Sequence, residues 1–230
     1  MITRLRHILP LVLLVLATAL PARSQTAPYK FDIGAQLGTS GYIGEANSTN
    51  IMKHPGFDGE LSFRYIADVR WSFRGVFSVF GLSGDTSETG NILPDGKQYS
   101  FTSTVYDLGG RVEFNFLPYG IGETYKRLRR VTPYITLGVG VCMSSSGGEM
   151  SFAPTLPMGL GVKFKMSERW NLAAEFTMTK AFGDKVDGSS LTDLNGIKTA
   201  FYRNTDWYSR LTIGISYEFG KRCETCHYVE

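Results

Sequence analysis

Leu211-Thr212-Ile213-Gly214-Ile215-Ser216-Tyr217-Glu218-Phe219 carries an apolar side chain at every odd position and a small or polar one between. Successive side chains of a strand point to opposite faces, so the stretch reads as a β-strand with one apolar and one polar face. The same alternation recurs seven times upstream. Tyr29, Phe31, Ile33, Ala35 and Leu37 oppose Lys30, Asp32, Gly34 and Gln36, and Leu61, Phe63 and Tyr65 oppose Glu60, Ser62 and Arg64. Val69, Trp71, Phe73, Phe77 and Val79 oppose Arg70, Ser72, Arg74 and Ser78. Leu108, Val112, Phe114 and Phe116 oppose Asp107, Arg111, Glu113 and Asn115, while Ile135 to Val141 alternate with Tyr134, Thr136, Gly138 and Gly140. Leu156 to Met166 face away from Gly159, Gly161, Lys163 and Lys165, and Trp170 to Met178 face away from Asn171, Glu175 and Thr177. Eight strands result.

The rest of the composition agrees. Of 230 residues, 26 are Gly, 15 Phe and 12 Tyr, with 43% hydrophobic and 20% charged, which excludes a disordered chain, a collagen-like repeat and a disulfide scaffold. Arg4, Arg6 and His7 precede the apolar run Ile8 to Leu20, and Ala22-Arg23-Ser24 follows it. The run is too short for the roughly 20 residues of a spanning helix, so residues 1–24 read as an export signal cleaved before Gln25. Losing Arg4, Arg6 and Arg23 leaves 21 basic against 21 acidic side chains, and a nucleic-acid partner loses its electrostatic support.

An even number of amphipathic strands behind an export signal matches an outer-membrane barrel. A secreted sandwich or lipocalin-like barrel also alternates, but there charge belongs outside and the apolar face inside. Here bulky apolar residues stand at every other position of strand after strand, opposite a face that carries both signs of charge. Connections also alternate in length: Ala67-Asp68 and Ser167-Glu168-Arg169 are tight, while residues 39–58, 83–98 and 180–206 are long and polar. The expected fold is all-β, an eight-stranded antiparallel up-and-down transmembrane barrel of the outer membrane over residues 25–222, with residues 223–230 as a periplasmic tail. Arg64, Arg70, Arg74, Arg111, Arg210, Lys30, Lys163 and Lys165 against Asp32, Asp107, Glu60, Glu113, Glu175 and Glu218 predict a salt-bridged lumen, because buried charge must be paired.

Catalytic chemistry is not apparent. His54 lies in a loop and His227 in the tail, so no strand Ser has a base beside it. Gly138/Gly140 and Gly159/Gly161 fall inside strands and read as packing glycines. Asp184, Asp187 and Asp193 lack the spacing of a calcium loop. Cys223-Glu224-Thr225-Cys226-His227 matches a haem-attachment pattern, yet the few residues after it cannot build a haem pocket. No cofactor or metal is expected. A local Cys223–Cys226 disulfide, or a redox-inert pair, suits an oxidising periplasm and leaves out Cys142 at a strand end. One connection on the short-turn side is long: after Leu117 comes Pro118 to Tyr125, then Lys126, Arg127, Arg129 and Arg130. With both termini periplasmic, this basic loop is periplasmic and is the candidate partner-binding surface.

Several stretches, in order along the chain, resemble the PorG family, the outer-membrane barrel subunit of the type IX secretion system of Bacteroidetes. They are Asp32-Ile33-Gly34 leading to Gly41-Tyr42-Ile43-Gly44-Glu45, Phe63-Arg64-Tyr65 with Val69-Arg70-Trp71, and Glu113-Phe114-Asn115-Phe116-Leu117-Pro118-Tyr119. Thr132-Pro133-Tyr134-Ile135, Pro157-Met158-Gly159-Leu160-Gly161-Val162-Lys163 and Asp206-Trp207-Tyr208 complete the set. The resemblance implies a noncatalytic subunit that ties a periplasmic ring of secretion or gliding proteins to the outer membrane. The competing expectation is a stand-alone small barrel of the OmpA/OmpW kind, serving envelope integrity or the passage of small molecules.

Overall fold

Eight antiparallel strands close on themselves in a computed structural model that describes residues 27–43, 55–85, 100–121, 127–146, 149–182 and 206–222. They are β1 (Tyr29–Ile43), β2 (Gly56–Ile66), β3 (Trp71–Asp85), β4 (Ser100–Asn115), β5 (Val131–Ser146), β6 (Glu149–Lys165), β7 (Trp170–Ala181) and β8 (Asp206–Lys221). Each pairs with its sequence neighbours, and β1 pairs with β8 from Tyr29↔Lys221 to Ile43↔Trp207. No helix occurs among the described residues.

The alternation is realised as two opposite surfaces. Leu37, Leu61, Leu108, Val139, Leu160 and Ile213 are all more than half exposed on the outer wall, while Asp32, Glu113, Arg74 and Arg210 inside are at most 1% exposed. A water-soluble barrel would invert this arrangement. An exterior of this kind is stable against lipid, where the closed ladder also satisfies every backbone group, so the chain is a membrane-spanning barrel of the outer-membrane type. Aromatic pairs ring its lower rim: Phe31 with Phe63 at 5.6 Å, Trp71 with Phe114 at 4.7 Å and Trp170 with Tyr217 at 5.1 Å between centroids. Such belts mark the membrane interface.

The first and last described residues and the tight turns share that lower end, which in barrels of this class is the one that faces the periplasm. Residues 67–70 turn on Asp68, whose carboxylate accepts the amides of Arg70 and Trp71 at 2.6 and 2.7 Å. Residues 166–169 turn between β6 and β7, with the amides of Met166 and Ser167 both donating to the Trp170 carbonyl.

Several expectations need correction. Lys30 is exposed rather than luminal, and Arg70 belongs to the turn, where it donates to the Phe116 carbonyl at 3.3 Å. Tyr29 and Val69, expected to face outward, are each only 6% exposed. All four lie at the lower rim, in the first two residues of β1 and in the β2–β3 turn, where the alternation of the lipid-facing wall no longer holds. The strands also run further at the other end: β2 begins at Gly56, so Asp58 lies inside the barrel rather than in a polar loop. Cys142 is not at a strand end but within β5, fully buried beside Phe80, Leu82, Val105, Ala153, Ala181 and Tyr208. This apolar cluster fills the upper lumen. Asp184, Asp187, Asp193, His54, His227, Cys223 and Cys226 lie outside the described residues.

Closure in lipid gives an unfolding barrier that detergent alone does not cross. The protein is expected to migrate faster on SDS gels unheated than boiled; identical mobility in both conditions would contradict a closed barrel.

Candidate functional site

Inward positions of neighbouring strands stack into layers, and register decides which charges meet. Glu113 of β4 receives Arg64 Nε at 2.9 Å, Lys163 Nζ at 2.5 Å and the Ser72 hydroxyl at 3.0 Å, while Arg74 Nε lies 2.9 Å from its other oxygen. Arg64 also reaches Asp32 at 2.6 Å. One layer up, Glu175 of β7 accepts Arg74 Nη2 at 2.6 and 2.7 Å, Arg111 Nη1 at 2.9 Å, the Tyr134 hydroxyl at 2.5 Å and Thr177 at 3.0 Å. Above that, Arg210 donates to both oxygens of Asp58, at 2.7 and 3.0 Å, and to Glu60 at 2.8 Å. Asp107 accepts the Tyr208 hydroxyl at 3.3 Å below the apolar cluster.

Two glycines make this packing possible. A Cβ on Gly161 would lie 2.7 Å from the Tyr134 ring, so only glycine lets that ring swing across to Glu175. A Cβ on Gly138 would come within 2.8 Å of the Arg111 stem. The strand glycines read from sequence as packing residues are therefore what seats two members of the network.

The described lumen thus holds the cations Arg64, Arg74, Arg111, Lys163, Lys165 and Arg210 against Asp32, Asp58, Glu60, Asp107, Glu113, Glu175 and Glu218, nearly all interlocked. Removing one partner of a buried ion pair strands the other in a medium that cannot solvate it. Toward the periplasm the network ends in a lid. Tyr119, just past β4, donates its hydroxyl to Asn171 Oδ1 at 2.8 Å and lies 5.5 Å below Lys165 Nζ, which itself pairs with Glu218 at 2.5 Å. Burial, with the Glu218 charge adding, pushes the Tyr119 phenol well above its usual pKa, so it stays a donor at any physiological pH. Beside it a cavity of about 30 Å³, lined also by Arg64, Ser72, Asn115, Lys163 and Asn171, has room for about one water.

The loop carrying Tyr119 is the basic connection singled out in the sequence. Its two arms are tied by Arg129 N donating to the Pro118 carbonyl at 2.8 Å and Gly120 N to the Arg129 carbonyl at 3.1 Å. Arg127, Arg129 and Arg130 are exposed, and Arg127 adopts a left-handed backbone, φ 48°. Lys126 lies outside the described residues. Around the same rim Arg169 donates to the hydroxyls of Tyr29 at 3.2 Å and Tyr217 at 2.8 Å, and Arg222 donates to the carbonyls of Ala67 and Ile66. Sequence reading missed Asp58, Tyr119 and Arg222 as structural contributors. Asp58 was hidden by its polar neighbours, and the other two stand outside any alternating pattern. Among the described residues no three His, Cys, Asp or Glu side chains are grouped to hold a metal.

A family model described as "Domain of unknown function (DUF6089)" matches residues 6–228. No curated protein sequence gives a significant match. Among solved structures, Neisserial surface protein A (NspA) is similar at 16% identity over 82% of this chain and 97% of that one, with a TM-score of 0.53, which shows a shared fold. The outer membrane protein OprG from Pseudomonas aeruginosa is 12% identical over 85% of this chain and 98% of its own, with a TM-score of 0.49.

The central carboxylate provides the sharpest test of the network. Glu175→Ala takes the acceptor from the Arg111 guanidinium and the Tyr134 phenol and one of two close carboxylates from Arg74, and is expected to destabilise the barrel by on the order of 3–5 kcal/mol. Urea unfolding in phospholipid vesicles, followed by tryptophan fluorescence, reads the loss. The lipid-facing Leu160→Ala should lose clearly less; equal losses would mean that the network contributes little.

Proposed function

The chain belongs to the DUF6089 family, and on that footing we propose that it is a noncatalytic outer-membrane barrel that anchors periplasmic proteins to the membrane. The observation that carries this reading is the filled lumen. Salt bridges occupy its lower and middle layers, an apolar cluster the upper one, and Tyr119 its periplasmic mouth. Among the described residues a lumen filled this way leaves no wide path for a solute, so the reading assigns the work to the faces of the barrel.

The periplasmic face supports the proposal. A free-standing barrel needs only short turns there. This chain instead spends residues 116–130 on one connection whose base is fixed by backbone hydrogen bonds and whose described cations are exposed. Lys126, Arg127, Arg129 and Arg130 form a local positive field on a mature chain whose net charge is zero, suited to steering an acidic patch of a periplasmic partner. The resemblance to PorG gives that partner a name: the periplasmic ring proteins of the type IX secretion system, with the barrel as their outer-membrane anchor in secretion or gliding. The stand-alone alternative shares the fold of small barrels such as NspA and requires no partner.

Affinity capture of the tagged protein from detergent-solubilised outer membrane separates the two. Under the anchoring proposal, periplasmic proteins co-purify, and reversing Lys126, Arg127, Arg129 and Arg130 to Glu leaves a heat-modifiable barrel that captures them roughly tenfold less well. Normal capture by an assembled quadruple variant in physiological salt would show that this loop is not the docking surface. No specific capture by the unaltered protein would favour the stand-alone barrel.

A further inference from the structure

Arg169 is the last residue of the β6–β7 turn, one position before the belt residue Trp170. Its side chain is exposed, yet it is held in place. Nε donates to the Tyr29 hydroxyl and Nη1 to the Tyr217 hydroxyl, and the guanidinium carbon lies 5.5 and 5.9 Å from the centroids of those two rings. Its carbonyl accepts the Glu218 amide at 2.8 Å, which fixes the turn against β8. Two of its five N–H donors are spent on neutral hydroxyls, and no ion pair joins it to a carboxylate among the described residues. A rigid, unneutralised guanidinium with three donors left over is organised for a ligand that is not part of this chain.

Depth and neighbours indicate which ligand. Trp170 and Tyr217 form an edge-on aromatic pair at 5.1 Å on the outer wall, the side-chain type that settles at the boundary between hydrocarbon and headgroups. Arg169 stands one residue beyond that boundary, where lipid phosphates lie. Lys221, opposite Tyr29 in the β1–β8 register, and Lys30, the next residue of β1, are both exposed at the same corner; Glu168, the residue before Arg169 in the same turn, is also exposed. We propose that this corner, with Arg169 at its centre, is a binding site for the phosphate of a phospholipid headgroup in the periplasmic leaflet. A planar fork matches two phosphate oxygens at once, which a lysine cannot do. The two tyrosines act as positioning residues: they hold the fork open toward the membrane, so little orientational freedom is lost on binding. The site is independent of the anchoring role, since Arg127, Arg129 and Arg130 belong to a different connection.

Native mass spectrometry of the full-length protein in detergent, titrated with dioleoylphosphatidylglycerol, tests the proposal. The unaltered protein should retain lipid, and Arg169→Ala should weaken retention about tenfold, the scale of one charge-assisted hydrogen bond. Arg169→Lys should recover only part of it, because charge returns without the fork. Tyr29→Phe combined with Tyr217→Phe should weaken retention severalfold with Arg169 still present, whereas Arg127→Ala should leave it unchanged. The heat-dependent gel shift establishes that each variant is folded. Equal retention by folded Arg169→Ala and unaltered protein would overturn the site, and displacement of the lipid by millimolar inorganic phosphate would reassign it to free phosphate and overturn the headgroup assignment.

Discussion

The pairing of β1 with β8 governs the rest of the molecule. Unpaired strand edges are intolerable in hydrocarbon, and the fourteen-partner seam from Tyr29↔Lys221 to Ile43↔Trp207 removes the two that an open eight-stranded sheet would have. Once the sheet is closed, each strand has one face toward lipid and one toward a narrow interior. The period-two alternation then forces a choice that a soluble protein never meets: along the lipid-facing band apolar residues go outward, and the charged residues between them are buried. The buried charge is thus a consequence of closure in a membrane, and its pairing is a condition for the barrel to exist.

An eight-stranded interior is just wide enough for side chains, so the pairing also determines what the barrel can do. Glu113 and Glu175 each gather donors from several strands, including partners on opposite walls: Arg74 reaches Glu175 across a separation of 101 residues. These links tie the walls together as well as neutralising them. Among the described residues these side chains occupy the lower and middle interior, the apolar cluster the upper, and Tyr119 borders a cavity of about 30 Å³ at the lower mouth. Under the anchoring proposal, activity falls to the surfaces that face the periplasm and the lipid, where Arg127, Arg129, Arg130 and Arg169 are exposed.

Most of the architecture was legible in the sequence because it rests on periodicity alone. Eight alternating stretches and tight turns at Asp68 and Ser167 are local properties, and the structure follows them. What failed did so at strand ends. Lys30 and Arg70 continue the alternation numerically, but Lys30 is the second residue of β1, exposed at the rim, and Arg70 lies in the β2–β3 turn, so neither reaches the lumen. Asp58 sits in a run of polar and glycine residues that looks like loop, yet the barrel extends past the lipid-facing band and pairs it with Arg210. Register was not legible at all, and with it the identity of every partner in the network: nothing local to Glu175 reveals that Arg74, Arg111 and Tyr134 converge on it. Arg169 escaped notice because its significance comes from two tyrosines far away in the chain.

The central claim is that the lumen is filled and that the protein acts through its faces. Reconstitution into planar lipid bilayers tests it most directly. The account predicts that purified, heat-modifiable protein inserts without adding stepwise ionic conductance above the bare membrane. Regular, ohmic single-channel steps from the unaltered barrel would contradict it, because they require a continuous aqueous path through the layer where Arg74, Arg111 and Glu175 meet.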